Sequence, residues 1–322
     1  MSTLQQAITD YLKSTKRLTP RTRKGYAQRL LVFASWCKEQ GLVELGSIKA
    51  SGVDDFVEHL RDQHTSSYHH KKMISTYTMA GYVRCIRVFL HWCQEDETYS
   101  QYLTDSVIRK IKLPKREQFV IETFSDAQLE ALCKASDQEY NEHLRLRAKC
   151  VLGLLLCTGI RASELCTLKI KDAHLEGNAP YILVHGKGNK WRECLLIDLS
   201  QTGKPQIDRQ TQELLQQYKA RYRAKASPTA TFFVGRIEGE SFGTEGLEKM
   251  MDRLCQWSGI TGVRCSPHTF RHTFAARFMQ VISDIYLLSK TLGHGDVKTT
   301  EQYLKSISGL EVRLALLRRV NG

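Results

Sequence analysis

The stretch "SPHTFRHTFAARF", residues 266–278, opens a helix. Ser266 suits the cap position and Pro267 the first helical position. Phe270, Phe274 and Phe278 lie four apart and make a packing stripe. His268 and Arg271 lie three apart and share a face near the helix start, roughly a quarter turn from the stripe at about 100° per residue. A helix start with two cationic donors suits a phosphate. The plainer alternative is a His and an Arg on a solvated flank.

Toward the C-terminus, "LGHGDVKTTEQYL" (292–304) places His294 in a turn and Tyr303 in the helix that follows. On its own, Tyr303 reads as a core tyrosine. In "SGLEVRLALLRRVNG" (308–322), Leu310, Leu314 and Leu317 fall at helical spacing and predict a last amphipathic helix.

Toward the N-terminus, "YILVHGKGNKWRECLLI" (181–197) reads as two β-rich runs around a turn, a hairpin with Lys187 at its tip. A turn lysine is ordinarily solvated, but the glycines beside it let the backbone approach a partner closely. In "CTGIRASEL" (157–165), Arg161 ends the apolar run Val151–Cys157, just after Gly159. A guanidinium so near a core needs an anion, either Glu164 or a phosphate. Helices are predicted at about 126–135 and 143–157, the first opened by a Ser125–Gln128 capping box.

The first third reads as helical. Thr19 caps, Pro20 starts and Gly41 ends a helix in which Tyr26, Leu30, Phe33 and Cys37 recur at helical spacing. Its segment "GYAQRLLVFASWCKE" (25–39) aligns without gaps on "GYVRCIRVFLHWCQE" (81–95), which predicts two helices with equivalent packing roles. A further helix is expected around Val53–Gln63. The loop "HTSSYHHKKMISTYT" (64–78) is polar and basic, either a solvated face or a phosphate contact. The charged, non-periodic stretch containing Pro114 reads as a linker. The expected organisation is a helical domain over 1–112, a linker over 113–123 and a second domain over 124–322. The fold class is mainly α with a small antiparallel sheet.

A net charge of +13 in 322 residues favours a polyanion as partner, nucleic acid ahead of a membrane surface or a merely basic enzyme. The run Val151–Cys157 is far short of the ~20 residues a spanning helix needs. With no secretory signal at the start, the chain reads as cytoplasmic and without a membrane partner. None of the ten cysteines forms a Cys-x-x-Cys pair. Cys85, Cys93, Cys150 and Cys157 interleave with apolar residues, as buried reduced thiols do, and no metal site is expected.

Taken in order, "TGIRASEL", "HGKGNK", "HTFRHTFAARF", "LGHGDVKTT" and "TTEQY" resemble the tyrosine recombinase family, also called the phage integrase family. The motifs run from about Cys157 to Leu304, and the N-terminal helices resemble the family's core-binding domain. Gly295 and Asp296 depart from the small hydroxyl residues commoner after the histidine. The resemblance implies a catalytic set of Arg161, Lys187, His268, Arg271, His294 and Tyr303, with no cofactor. Tyr303 would become linked to a DNA 3′-phosphate. Lys187 would protonate the leaving 5′ oxygen, His268 would take or return the tyrosine proton, and His294 would hydrogen-bond the phosphate. The partners implied are double-stranded DNA with paired half-sites and further copies of the chain, in a clamp-shaped homo-tetramer that exchanges strands through a Holliday junction. In the family, a C-terminal helix often docks on a neighbouring protomer; packing on its own domain is the alternative here. The N-terminal cap signals leave no room for an arm-type DNA-binding domain before the first helices. Two rival functions are a type IB topoisomerase, against which the core-binding-like helices argue, and a catalytically silent DNA-binding accessory protein, against which the complete residue set argues.

Overall fold

The computed structural model describes residues 3–63, 74–115, 122–186, 190–200, 204–236 and 240–305. Lys187, the leucines at 310, 314 and 317, and most of the basic 64–78 loop lie outside these residues. The chain divides into two compact units, Met1–Gln118 and Phe119–Gly322. The fold is mainly helical with small antiparallel sheets.

In the first unit, α1 (Leu4–Ser14), α2 (Pro20–Glu39), α3 (Ala50–Gln63), α4 (Thr76–Glu95) and α5 (Asp105–Lys110) enclose one core. The cap signals at Thr19 place the first helix too late, because α1 precedes it. Thr3 caps α1 by accepting from the Gln6 N–H, and Leu4, Ala7, Ile8 and Tyr11 form its buried face. The expected caps of α2 are present: Thr19 accepts from the Thr22 N–H, and Gly41 follows the helix with φ of 72°. The aligned segments occupy α2 and α4 with matching burial. Leu30 and Ile86, Phe33 and Phe89, Ala34 and Leu90, and Cys37 and Cys93 are all interior. The Tyr11 ring stands edge-on to Phe89 at 5.6 Å and ties α1 to α4.

The second unit begins with α6 (Asp126–Ala135), α7 (Glu142–Thr158) and α8 (Ala162–Thr167). The Ser125–Gln128 capping box is formed as the sequence predicts. Strands β1 (Ala173–His174), β2 (Tyr181–Gly186) and β3 (Lys190–Leu195) make a sheet in that order. The β2–β3 hairpin pairs Val184 with Arg192 and Gly186 with Lys190. Strands β4 (Ile197–Asp198) and β5 (Gln206–Ile207) form a second small sheet. Two-residue strands are too short to show an alternating pattern, so neither β1 nor the second sheet is legible in the sequence. The chain continues through α9 (Arg209–Tyr222), α10 (Thr244–Ser258), α11 (Pro267–Val281), α12 (Ile285–Leu292) and α13 (Val297–Lys305).

Helix α7 is buried on nearly every side and centres the main core. It ends at Gly159, whose φ of 60° and close approach to α11 both exclude a side chain; a Cβ there would sit 2.5 Å from Phe274 Cδ1. The phenylalanine stripe of α11 serves two cores rather than one. Phe270 joins the α7 core, while Phe274 and Phe278 pack with Leu288, Leu292 and Leu304 from α12 and α13. This two-sided burial carries Arg271 inside, so its solvated-flank alternative fails. Cys85, Cys93, Cys150 and Cys157 are buried free thiols. Among the described residues no helix is long and apolar enough to cross a membrane.

Candidate active site

Helix α12 ends at Gly293, whose φ of 66° turns the chain toward His294. A helix end leaves carbonyls without intrahelical donors and carries partial negative charge. Here three successive carbonyls each accept from a different arginine. Arg192 Nε donates to Thr291 O at 3.0 Å, Arg271 Nη2 to Leu292 O at 2.7 Å and Arg161 Nη2 to Gly293 O at 3.2 Å. Arg271 Nη1 also donates to Gly159 O at 2.6 Å, which joins the ends of α7 and α12 through α11. Arg271 is 5% exposed. Burial and the neighbouring Arg161 cation push it down to about 10, still charged at neutral pH.

Of the two partners foreseen for Arg161, Glu164 and a phosphate, the carboxylate is the one observed. Glu164 Oε1 accepts from Arg161 Nη1 at 2.8 Å, and Oε2 from the Arg161 N–H at 2.9 Å. The same carboxylate receives a two-pronged contact from Arg192, at 2.9 and 2.7 Å. Burial alone would raise the Glu164 carboxyl; hydrogen bonds and charge from Arg192, then from Arg161, outweigh it and hold the carboxyl at about 2. Two guanidiniums on one carboxylate, with Arg271 at the same helix end, leave a net positive centre suited to an anion.

His294 sits between two partners. Its Nε2 is 3.1 Å from Arg271 Nη2, and its Nδ1 is 2.8 Å from Thr300 Oγ1, which is buried in α13. A guanidinium only donates, so Nε2 accepts and Nδ1 carries the proton to Thr300. Burial, then Arg271 and Arg161, lower the His294 pKa to about 4, in keeping with a neutral ring.

The Tyr303 ring stands 5.9 Å from the His294 ring and near-perpendicular to it. It stacks at 4.7 Å on His272, a residue that the sequence motifs do not single out. The signal for His272 is its place beside Arg271, one turn beyond His268, but the phenylalanine spacing points to the apolar face instead. Burial raises the Tyr303 phenol above its ordinary range, and the Arg271 charge offsets part of this. His268 is exposed in the first turn of α11, and partial desolvation, then Arg271, Arg264 and Arg161, lower its pKa. Arg161, Arg271, His294 and Tyr303 therefore converge, with His268 on the same helix as Arg271. Reasoning from sequence misses Arg192 and His272, and finds Glu164 only as a candidate partner of Arg161. Among the described residues, no group of three or more His, Cys, Asp or Glu side chains is placed to hold a metal ion.

The neutral histidines set a pH response. Burial, then His268 and Arg271, hold His272 down at about 4, below its ordinary 6.5. As pH falls between those values, the unfolded chain takes up protons that the folded chain refuses, so stability is lost on acidification. His272→Phe keeps a ring against Tyr303 and removes one such titration. Its melting temperature should fall less than that of the wild type between pH 6.5 and 4.5; an equal fall would mean that His272 is not held neutral.

Residues 122–308, more than half of the chain, match the model of the phage integrase family. The tyrosine recombinase XerD of Listeria monocytogenes serotype 4b (strain F2365) is 27% identical over 305 residues, covering 94% of each chain. The tyrosine recombinase XerC of Staphylococcus aureus (strain USA300 / TCH1516) is 25% identical over 305 residues, covering 94% of this chain and 92% of the relative. Among solved structures, the XerH site-specific recombinase bound to difH substrate in a pre-cleavage complex matches with a TM-score of 0.68 and 21% identity, covering 94% of this chain and 81% of that one. Lambda integrase (residues 75–356) bound to DNA matches with a TM-score of 0.66 and 15% identity, covering 91% and 92%. At these identities the structural likeness is one of fold.

Proposed function

The chain belongs to the phage integrase family, and we propose that it is a site-specific DNA recombinase that cleaves and rejoins strands through Tyr303. The observation that carries the assignment of residues is the convergence of Arg161, Arg271, His294 and Tyr303 at the end of α12. A phosphodiester under attack gains negative charge on a five-coordinate phosphorus, and preorganised cations stabilise it. Arg161 and Arg271 are those cations. Their planar forks bond phosphate oxygens and remain protonated.

Tyr303 attacks phosphorus through its phenol oxygen. A phenol is a fair nucleophile and a fair leaving group, so the new phosphotyrosyl bond stores the energy needed for rejoining. The buried phenol is protonated at rest, and His268 takes its proton as attack proceeds. Lys187, which follows β2 in the sequence, gives a proton to the departing 5′ oxygen. His294 now accepts from Arg271; to donate to a phosphate it must carry its proton on Nε2. The Thr300 hydroxyl supports that exchange, since it can turn from accepting at Nδ1 to donating. The reaction uses no cofactor.

The substrate is double-stranded DNA with paired half-sites, the working assembly is a homo-tetramer on two duplexes, and the protein acts in the cytoplasm. The test begins with DNA trapped covalently on the protein, sequenced to find its site. Two direct copies of that site in one plasmid should yield two smaller circles on incubation. Relaxation of supercoils with no such circles would favour the topoisomerase reading instead.

A further inference from the structure

The proposed reaction uses two of the three arginines that cap α12 and gives no task to the third. Arg192, on β3, is 12% exposed at its side chain, and each of its three guanidinium nitrogens is engaged. Nε holds Thr291 O, and the two Nη atoms hold the two oxygens of Glu164. It has no free fork to present to a phosphate. Space is cleared for it on two sides. A Cβ on Gly186 would lie 3.1 Å from Arg192 Nη1, and one on Gly293 would lie 3.0 Å from its Cδ and Nη1.

We propose that Arg192 is a positioning residue of the phosphate clamp: by occupying Glu164 and anchoring Thr291, it keeps Arg161 available to the DNA phosphate. This rests on the recombinase reading above. Glu164 is a buried carboxylate, and a buried charge that loses a partner is strongly destabilised. Without Arg192, the available counter-charge within its hydrogen-bonding shell is Arg161, which already touches Oε1. The Arg161 fork would close on both carboxylate oxygens, the geometry that carboxylates favour with guanidinium. Its Nη2 would then leave Gly293 O, and its donors would point away from the anion site. Arg192 thus settles a competition between Glu164 and the substrate for Arg161.

Single-turnover cleavage of a nicked suicide substrate, with half-site binding measured in parallel, tests this. Arg192→Met should lower the cleavage rate at saturating DNA about 30-fold or more, approaching the scale for loss of one preorganised donor. Half-site affinity should stay within about threefold, because Arg192 makes no contact with DNA in this account. Adding Glu164→Gln to Arg192→Met should restore at least about tenfold of the rate, because a neutral amide no longer captures Arg161. A merely structural role predicts the opposite, with the double variant no faster than the single. Should Arg192→Met fail to fold, Arg192→Lys replaces it, with a loss of about tenfold that Glu164→Gln again reverses. Cleavage within about threefold of wild type, or no recovery in the double variant, overturns the proposal. A wild-type protein that forms no Tyr303-dependent adduct sinks the recombinase reading, and the role of Arg192 with it. An active wild type with an indifferent Arg192 variant removes the role of Arg192 alone.

Discussion

Tyr303→Phe is expected to bind half-site DNA as the wild type does and to form no covalent protein–DNA adduct. The substitution removes one oxygen and keeps the ring. Phenylalanine can still stack on His272 and pack beside the α11–α13 cluster. The nucleophile is nonetheless gone, and no phosphotyrosyl bond can form. The expected effect is therefore complete on chemistry and small on folding and binding. A nicked suicide substrate run on a denaturing gel reads the adduct, and a thermal melt reads the fold. An adduct at wild-type level in the variant would remove Tyr303 from the mechanism.

Arg161→Ala and Arg271→Ala should each slow cleavage by about 10²-fold or more, the scale for loss of one preorganised donor to a developing charge. The two should differ in stability. The Arg161 side chain is 29% exposed, and Glu164 keeps its two-pronged contact with Arg192 when Arg161 is gone. Arg271 is interior, and its loss strips donors from Gly159 O and Leu292 O. Each buried carbonyl left unsatisfied costs about 1–3 kcal/mol. Arg271→Ala should therefore melt well below the wild type, and Arg161→Ala close to it. Lysine at either position should rescue poorly, because an ammonium lacks the planar fork. Cleavage rates within about threefold of wild type for both alanine variants would refute the clamp.

Much of this molecule is legible in its amino-acid sequence. Thr19, Ser125 and Ser266 mark helix starts by the same local device, a hydroxyl that accepts from an N–H three residues on. The aligned segments of α2 and α4 announce their shared burial because period and residue size repeat together. The hairpin declares itself through two β-rich runs and a glycine turn. Helix α1 carries readable signals too, Thr3 followed by Gln6 and an apolar face from Leu4 to Tyr11, but the stronger Thr-Pro signal at Thr19 overshadows them. Where reasoning from spacing fails, in α11, the helix is buried on two faces, and a single stripe cannot describe it.

The sequence by itself determined the fold class, most helix limits and the order of the residue types suited to phosphate chemistry, because those depend on neighbours within a few positions. It could not place Arg192 in the site, whose bonds to Glu164 and Thr291 span 28 and 99 residues. Nor could it tell that Arg271 lies inside, bonded across 112 residues to Gly159. Only the tertiary structure decided that three arginines meet at the end of α12 and that Glu164 divides itself between two of them. The physical reason is that a helix end attracts whichever donors the packed chain carries to it, and packing between distant segments leaves no periodic trace along the chain.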